Sequence, residues 1–147
     1  LDKNYIVVYP NNDFGSAKIL TVIKRYENNP KFKIFPSLSF ESFLVILKNA
    51  QFIIGNSSAG IREAPFYGLP SINIGTRQNA RFKGETVINC DYEEVSIINA
   101  IKSISQERLE RSTHFGEGNS TELFEKFLNG QELWSIPVQK VFVDIKP

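Results

Sequence analysis

Short apolar runs alternate along this chain with stretches of helical spacing, and turn-forming residues mark each change. Residues 5–9 (YIVVY) are β-branched and aromatic and are closed by Pro10, Asn11 and Asn12, which predicts a buried strand running into a turn. Ile19, Leu20, Val22, Ile23 and Tyr26 then recur at helical spacing until Asn28, Asn29 and Pro30 stop the helix. The unit repeats with a strand over 32–35, a loop over 36–39, and a helix marked by Phe40, Phe43, Leu44, Ile46 and Leu47. Residues 52–55 (FIIG) form a third strand, Asn56, Ser57 and Ser58 the next loop, and residues 59–67 a short helix ended by Gly68 and Pro70. Pro65 lacks the N–H a helix needs, so that helix must be short or kinked. A fourth strand over 71–74 and a fifth over 86–88 precede two more helices, one carrying Val95, Ile97, Ile98, Ile101 and Ile104, the other Leu123, Phe124, Phe127 and Leu128.

Strands alternating with helices on short connections predict an α/β fold, a Rossmann-like parallel sheet with helices on both faces. The strands are nearly all apolar, as strands buried on both faces are. Ligands of such sheets sit beyond the carboxyl ends of the strands, which directs attention to the loops after Tyr9, Phe35, Gly55 and Ile74.

Composition narrows the function. At 147 residues the chain has room for one domain, which should bury roughly two thirds of the surface its unfolded form exposes. Seventeen basic against sixteen acidic residues leave a net charge of +1, which argues against a nucleic-acid partner but allows one small anion. No apolar stretch is long enough to span a bilayer, so no membrane role is expected. Cys90 has no second cysteine to pair with, and one Cys with one His makes no Cys/His metal site, so neither a metal nor any other cofactor is expected. A reducing, cytoplasmic compartment fits that usage. The sequence opens at Leu1 without Met or leader and enters a strand within a few residues, the look of a piece cut from a longer protein.

The strongest candidate chemistry is Gly55-Asn56-Ser57-Ser58-Ala59-Gly60, between a strand and a helix. Small residues let backbone N–H groups approach an anion, the helix start is positive, and the hydroxyls of Ser57 and Ser58 add donors. It is neither a GxGxxG fingerprint nor a P-loop. Capping of the helix by Ser57 or Ser58 accounts for the same residues equally well. Glu63, beside Arg62, is placed either to compensate the helix dipole or to accept from ribose hydroxyls. In Gly75-Thr76-Arg77-Gln78, directly after the fourth strand, Arg77 offers a planar fork to phosphate or carboxylate, and Thr76 and Gln78 add hydrogen-bonding groups. Asn11, Asn12 and Asp13 lie on the same edge, where local turn chemistry alone explains them. Lys18, Lys24, Arg25, Arg81 and Lys83 read as surface charges, His114 has no acid or nucleophile beside it, and Cys90 reads as a small apolar residue. No nucleophile elbow, HExxH or pair of acids placed for proton transfer is present, so no catalytic residue is assigned.

The segment from Ile54-Gly55-Asn56-Ser57-Ser58-Ala59-Gly60-Ile61-Arg62-Glu63-Ala64-Pro65 through Asn73-Ile74-Gly75-Thr76-Arg77-Gln78 resembles the signature of the hydrolysing UDP-N-acetylglucosamine 2-epimerases. The sialic-acid-pathway branch, which includes a bifunctional epimerase/N-acetylmannosamine kinase, also has turns and tails similar to Tyr9-Pro10-Asn11-Asn12-Asp13, Phe115-Gly116-Glu117-Gly118-Asn119 and Ile136-Pro137-Val138-Gln139-Lys140. The resemblance implies the C-terminal half of a two-domain, glycosyltransferase-B-like enzyme with UDP in the cleft between two Rossmann-like halves. It implies that residues 1–147 are one UDP-binding domain, partnered by an absent N-terminal half of the same protein and by UDP and UDP-N-acetylglucosamine, in a homo-oligomer when whole. By motif position Ser57 and Ser58 would hold the diphosphate, Glu63 the ribose, and Asn11 and Arg77 further parts of the nucleotide, with residues 36–39 near the uracil. The family reaction, elimination of UDP to a 2-acetamidoglucal and then addition of water to give N-acetylmannosamine, uses acids and bases of the other half. The fragment by itself is therefore expected to be inactive. Thr21 and Lys24 stand where the animal enzyme has the arginines of its feedback site, so inhibition by CMP-sialic acid is not expected, and a bacterial enzyme of sialic or related nonulosonic acid synthesis fits better. The competing readings are a 2-epimerase of a modified sugar such as UDP-diacetylbacillosamine, the donor-binding half of a glycosyltransferase, and a non-catalytic nucleotide-binding module.

Overall fold

A computed structural model of the chain describes residues 3–105 and 107–139. The elements run β1 (Tyr5–Val8), α1 (Ser16–Lys24), β2 (Phe32–Phe35), α2 (Phe40–Asn49), β3 (Ile53–Gly55), α3 (Ala59–Arg62), a 3-10 turn (Ala64–Tyr67), β4 (Ser71–Ile74), β5 (Val87–Cys90), α4 (Glu94–Lys102), α5 (Ser120–Asn129) and α6 (Gln131–Trp134). The strands pair in parallel throughout, Tyr5 opposite Phe32, Ile53 opposite Ser71 and Ser71 opposite Val87, so the α/β architecture expected from the alternation is the one observed.

The hydrogen bonding divides it. One ladder joins β1 and β2 and a second joins β3, β4 and β5, with no ladder between β1 and β3 among the described residues. The third strand is three residues long and ends at Gly55 with φ 146°, so it offers little edge to a second neighbour. Burial divides along the same line. β4 is buried almost throughout, but β1 and β2 alternate half-buried with exposed positions, leaving Ile6 49% and Val8 40% exposed. Burial on both faces, expected of all the strands, thus holds only for β4. The inward faces of β1 and β2 meet α1 across a half-open apolar cavity of about 170 Å³ lined by Val7, Val22, Ile23, Tyr26, Phe32 and Ile34.

The tightly packed part surrounds the third and fourth strands. Leu47, Ala64 and Leu69 form a buried cluster against Phe43, Ala50, Ile53 and Tyr67, and Ile61 and Ile72 are also buried. Each fully buried Ile or Leu there stabilises the fold by about 1.5–3 kcal/mol. The sequence supplies the ends of the helix that feeds this core. Ser39 caps α2 by accepting from the Ser42 amide at 3.2 Å, and the Arg108 guanidinium donates to the carbonyls of Lys48 and Ala50 at its C-terminus, at 2.6 and 2.8 Å. Gly68, with φ 60°, ends the 3-10 turn, and residues 109–112 run beside it through Leu109 N–H to the Gly68 carbonyl and Ser112 N–H to the Pro65 carbonyl.

The single helix expected over 59–67 is one α-turn followed by a 3-10 turn, because Pro65 cannot donate back into an α-helix. The fourth long helix stops at Lys102, leaving Ile104 outside it, and the fifth strand runs to Cys90. Of the tail motif, Lys140 lies outside the described residues, as does Leu1. Among the described residues no helix is long and apolar enough to cross a membrane.

Candidate functional site

Parallel pairing carries the carboxyl ends of β3 and β4 to one edge, and side-chain contacts tie their loops to each other and to the loop after β1. The Arg77 guanidinium, after β4, lies 3.6 Å from the Asp13 carboxylate, after β1. Gln78 Nε2 donates to the Asn56 carbonyl, after β3, at 2.8 Å. The loop over 36–39, which follows β2, is used instead to cap α2 through Ser39.

Within the loop after β3 the two readings of the serines separate. The Ser57 hydroxyl accepts from the Ala59 amide at 3.3 Å, a long capping bond, whereas Ser58, at the N-cap position, makes no side-chain cap. The Ser57 and Ser58 carbonyls take the amides of Gly60, Ile61 and Arg62. The amides of Ser57 and Ser58 themselves donate to no acceptor among the described residues. Unused N–H groups beside hydroxyls on an exposed turn are ready to meet an anion. The helix that follows has four residues, so its dipole is short and the amides and hydroxyls carry more of that capacity than expected from the sequence.

Glu63 closes α3. One of its carboxylate oxygens, Oε2, is buried without a hydrogen-bond partner, an acceptor that folding leaves unpaired. Arg77 and Asp13 have side chains 51% and 70% exposed, so their ion pair contributes no more than about 1 kcal/mol and is easily exchanged for another anion. Asn11 is exposed on the same edge and bonds to no described residue. Ser57, Ser58 and Arg77 therefore belong to loops that meet, with Asn11 on the loop that Arg77 touches and Glu63 at the end of the short helix that follows the serines.

Some features had no clear signal in the sequence. Gln78 is buried, 3% exposed, although it stands in a polar loop. Asn73, buried in β4, donates to Asn89 of β5 at 2.7 Å while its own Oδ1 is unpartnered. Phe82, His114 and Phe115 form a ring cluster with centroids 4.8–5.5 Å apart, and Arg62 lies over the Phe115 ring at 5.8 Å. His114 thus serves as an aromatic neighbour. Burial pushes the Cys90 thiol above its ordinary pKa, and the Asp91 carboxylate adds to that, so the thiol stays protonated. Among the described residues no group of three His, Cys, Asp or Glu gathers as a metal site.

The chain is 47% identical over 147 residues to the UDP-N-acetylglucosamine 2-epimerase of Neisseria meningitidis serogroup B, covering 97% of this chain and 39% of that protein. It is 32% identical over 118 residues to a UDP-N,N'-diacetylbacillosamine 2-epimerase (hydrolyzing) of Legionella pneumophila, covering 80% and 31%. In fold it resembles the Methanocaldococcus jannaschii UDP-GlcNAc 2-epimerase, solved in complex with UDP-GlcNAc and UDP, with TM-score 0.70 and 22% identity over 86% of this chain and 36% of that one. The chain thus spans about two fifths of its relatives' length. A family model described as UDP-N-acetylglucosamine 2-epimerase matches residues 1–129, and with that match the chain belongs to the UDP-N-acetylglucosamine 2-epimerase family.

Proposed function

We propose that this chain is the nucleotide-binding, C-terminal half of a hydrolysing UDP-N-acetylglucosamine 2-epimerase, a cytoplasmic enzyme that releases UDP and N-acetylmannosamine for sialic or related nonulosonic acid synthesis. The observation that carries it is the meeting of three loops at one strand edge, with the Ser57 and Ser58 amides unused beside Arg77's loop. In this reading the amides and hydroxyls of Ser57 and Ser58 hold the diphosphate. Arg77 leaves Asp13 for a phosphate oxygen, Asn11 reaches the nucleotide from the first loop, and the unpaired Oε2 of Glu63 accepts from a ribose hydroxyl. The bonded exchange is favourable because an Arg–phosphate contact is fork-shaped and charge-assisted, whereas the Arg77–Asp13 contact is long and solvated.

Catalysis belongs to a second, N-terminal domain in the same polypeptide, closing over the nucleotide, in an enzyme that assembles as a homo-oligomer. The share of the relatives' length left uncovered by this chain supports that division. A second reading, a hydrolysing epimerase of UDP-diacetylbacillosamine, is favoured by the Legionella relative. Assaying the complete enzyme on both sugars separates the two.

The site is tested by calorimetric titration of the complete enzyme with UDP, UMP and uridine. Affinity should fall as phosphates are removed, and changing both Ser57 and Ser58 to Val should abolish the preference for UDP. A double variant that keeps the preference puts the phosphates elsewhere.

A further inference from the structure

The amide of Gln78 is a buried polar side chain in the loops at the strand edge, and its stability arithmetic is unfavourable. It is 3% exposed, its Nε2 donates to the Asn56 carbonyl at 2.8 Å, and its Oε1 is buried with no partner. An amide that leaves a buried acceptor unsatisfied costs more than an apolar side chain of the same shape, which has nothing to desolvate. The Gln78–Asn56 bond satisfies the buried Nε2 but leaves Oε1 unpaired, so the amide as a whole costs stability relative to an apolar side chain of the same shape. What it does is fix the separation of two loops, since Gln78 follows Arg77 and Asn56 precedes Ser57 and Ser58. The turn that carries Asn56 and the serines leaves the strand at Gly55, whose φ of 146° lies in glycine's region.

We propose that Gln78 is a positioning residue that holds the Ser57 and Ser58 amides at the correct distance from Arg77, so that both arms grip one diphosphate. The proposal rests on the nucleotide-binding reading above. Gln78 touches Asn56 and acts on the ligand through it, so its loss weakens the response to phosphate and leaves the rest of the nucleotide unaffected.

The test compares the complete wild-type enzyme with Gln78→Met, which keeps the shape and removes the donor, and Gln78→Glu. For Gln78→Met the melting temperature should be unchanged or higher and the uridine affinity unchanged, while the UDP affinity falls roughly tenfold, the scale of one lost hydrogen-bonded constraint. Gln78→Glu donates to the Asn56 carbonyl only when protonated, so its UDP affinity relative to wild type should recover as the pH is lowered from 8 to about 5, near the carboxyl range. A Gln78→Met enzyme that binds UDP as wild type does overturns the proposal. If Gln78→Met fails to fold, the Glu variant decides, and a flat pH ratio overturns it. A wild-type enzyme that does not distinguish UDP from uridine defeats the nucleotide-binding reading itself, an outcome visible before any variant is measured.

Discussion

Gly60 sits where the one-turn helix α3 crosses the third and fourth strands, and adding a single methyl group there measures how close that crossing is. A Cβ at Gly60 would lie 2.4 Å from Ser71 Oγ, 3.6 Å from Ser71 Cβ and 3.8 Å from Ile53 Cγ2. Only the first contact is impossible, and the other two are ordinary. Ser71 is 2% exposed at the start of β4, so its side chain has little free space to enter. Overpacking of this kind costs about 1–3 kcal/mol, from which the better helix propensity of Ala over Gly returns about 1. Gly60→Ala should therefore destabilise the chain by up to about 2 kcal/mol in urea unfolding. Because the obstructing atom is one hydroxyl, Ser71→Ala should remove the penalty. In that background Gly60→Ala should be neutral or stabilising, a coupling of at least about 1 kcal/mol in a double-mutant cycle. Additive effects of the two substitutions would show that the helix does not press on Ser71, and the close approach of the loop after β3 to the fourth strand would have to be abandoned.

Two further outcomes follow from packing and from the thiol. Val7→Ile adds one methylene to the half-open apolar cavity of about 170 Å³ between α1 and the first ladder, and should raise stability by up to about 0.8 kcal/mol; a lower unfolding midpoint would mean the space is not free. The raised pKa of Cys90 means that the folded chain keeps a proton that the unfolded chain has already lost, so this contribution to stability is full below the ordinary thiol pKa and fades as the pH climbs toward the shifted value. Unfolding midpoints measured from pH 7 to 10 should fall more steeply for wild type than for Cys90→Ala, and parallel slopes would count against burial of the thiol.

The alternation of strands and helices was legible because burial imposes a period on every segment long enough to show one. The parallel pairing and the order of the elements follow from that period and from chain length alone. Burial on both faces was misread for Tyr5–Val8 because apolar composition reports what a strand can bury, whereas exposure depends on what covers it; Ile6 and Val8 have the same chemistry as Ile72 and far less of its cover. The polar candidates at the strand edge divide in the same way. Ser57, Ser58 and Arg77 could be named because small residues and a guanidinium directly after strands are informative by type and place. Gln78 stood beside them as one more hydrogen-bonding group, since a loop has no period to tell an inward side chain from an outward one, and only the approach of the Asn56 carbonyl gives its amide a direction. If the proposed roles hold, residues that grip a ligand are more readable from a sequence than residues that set the spacing of the gripping loops, because the former are marked by side-chain chemistry and the latter by a distance between segments remote in the chain.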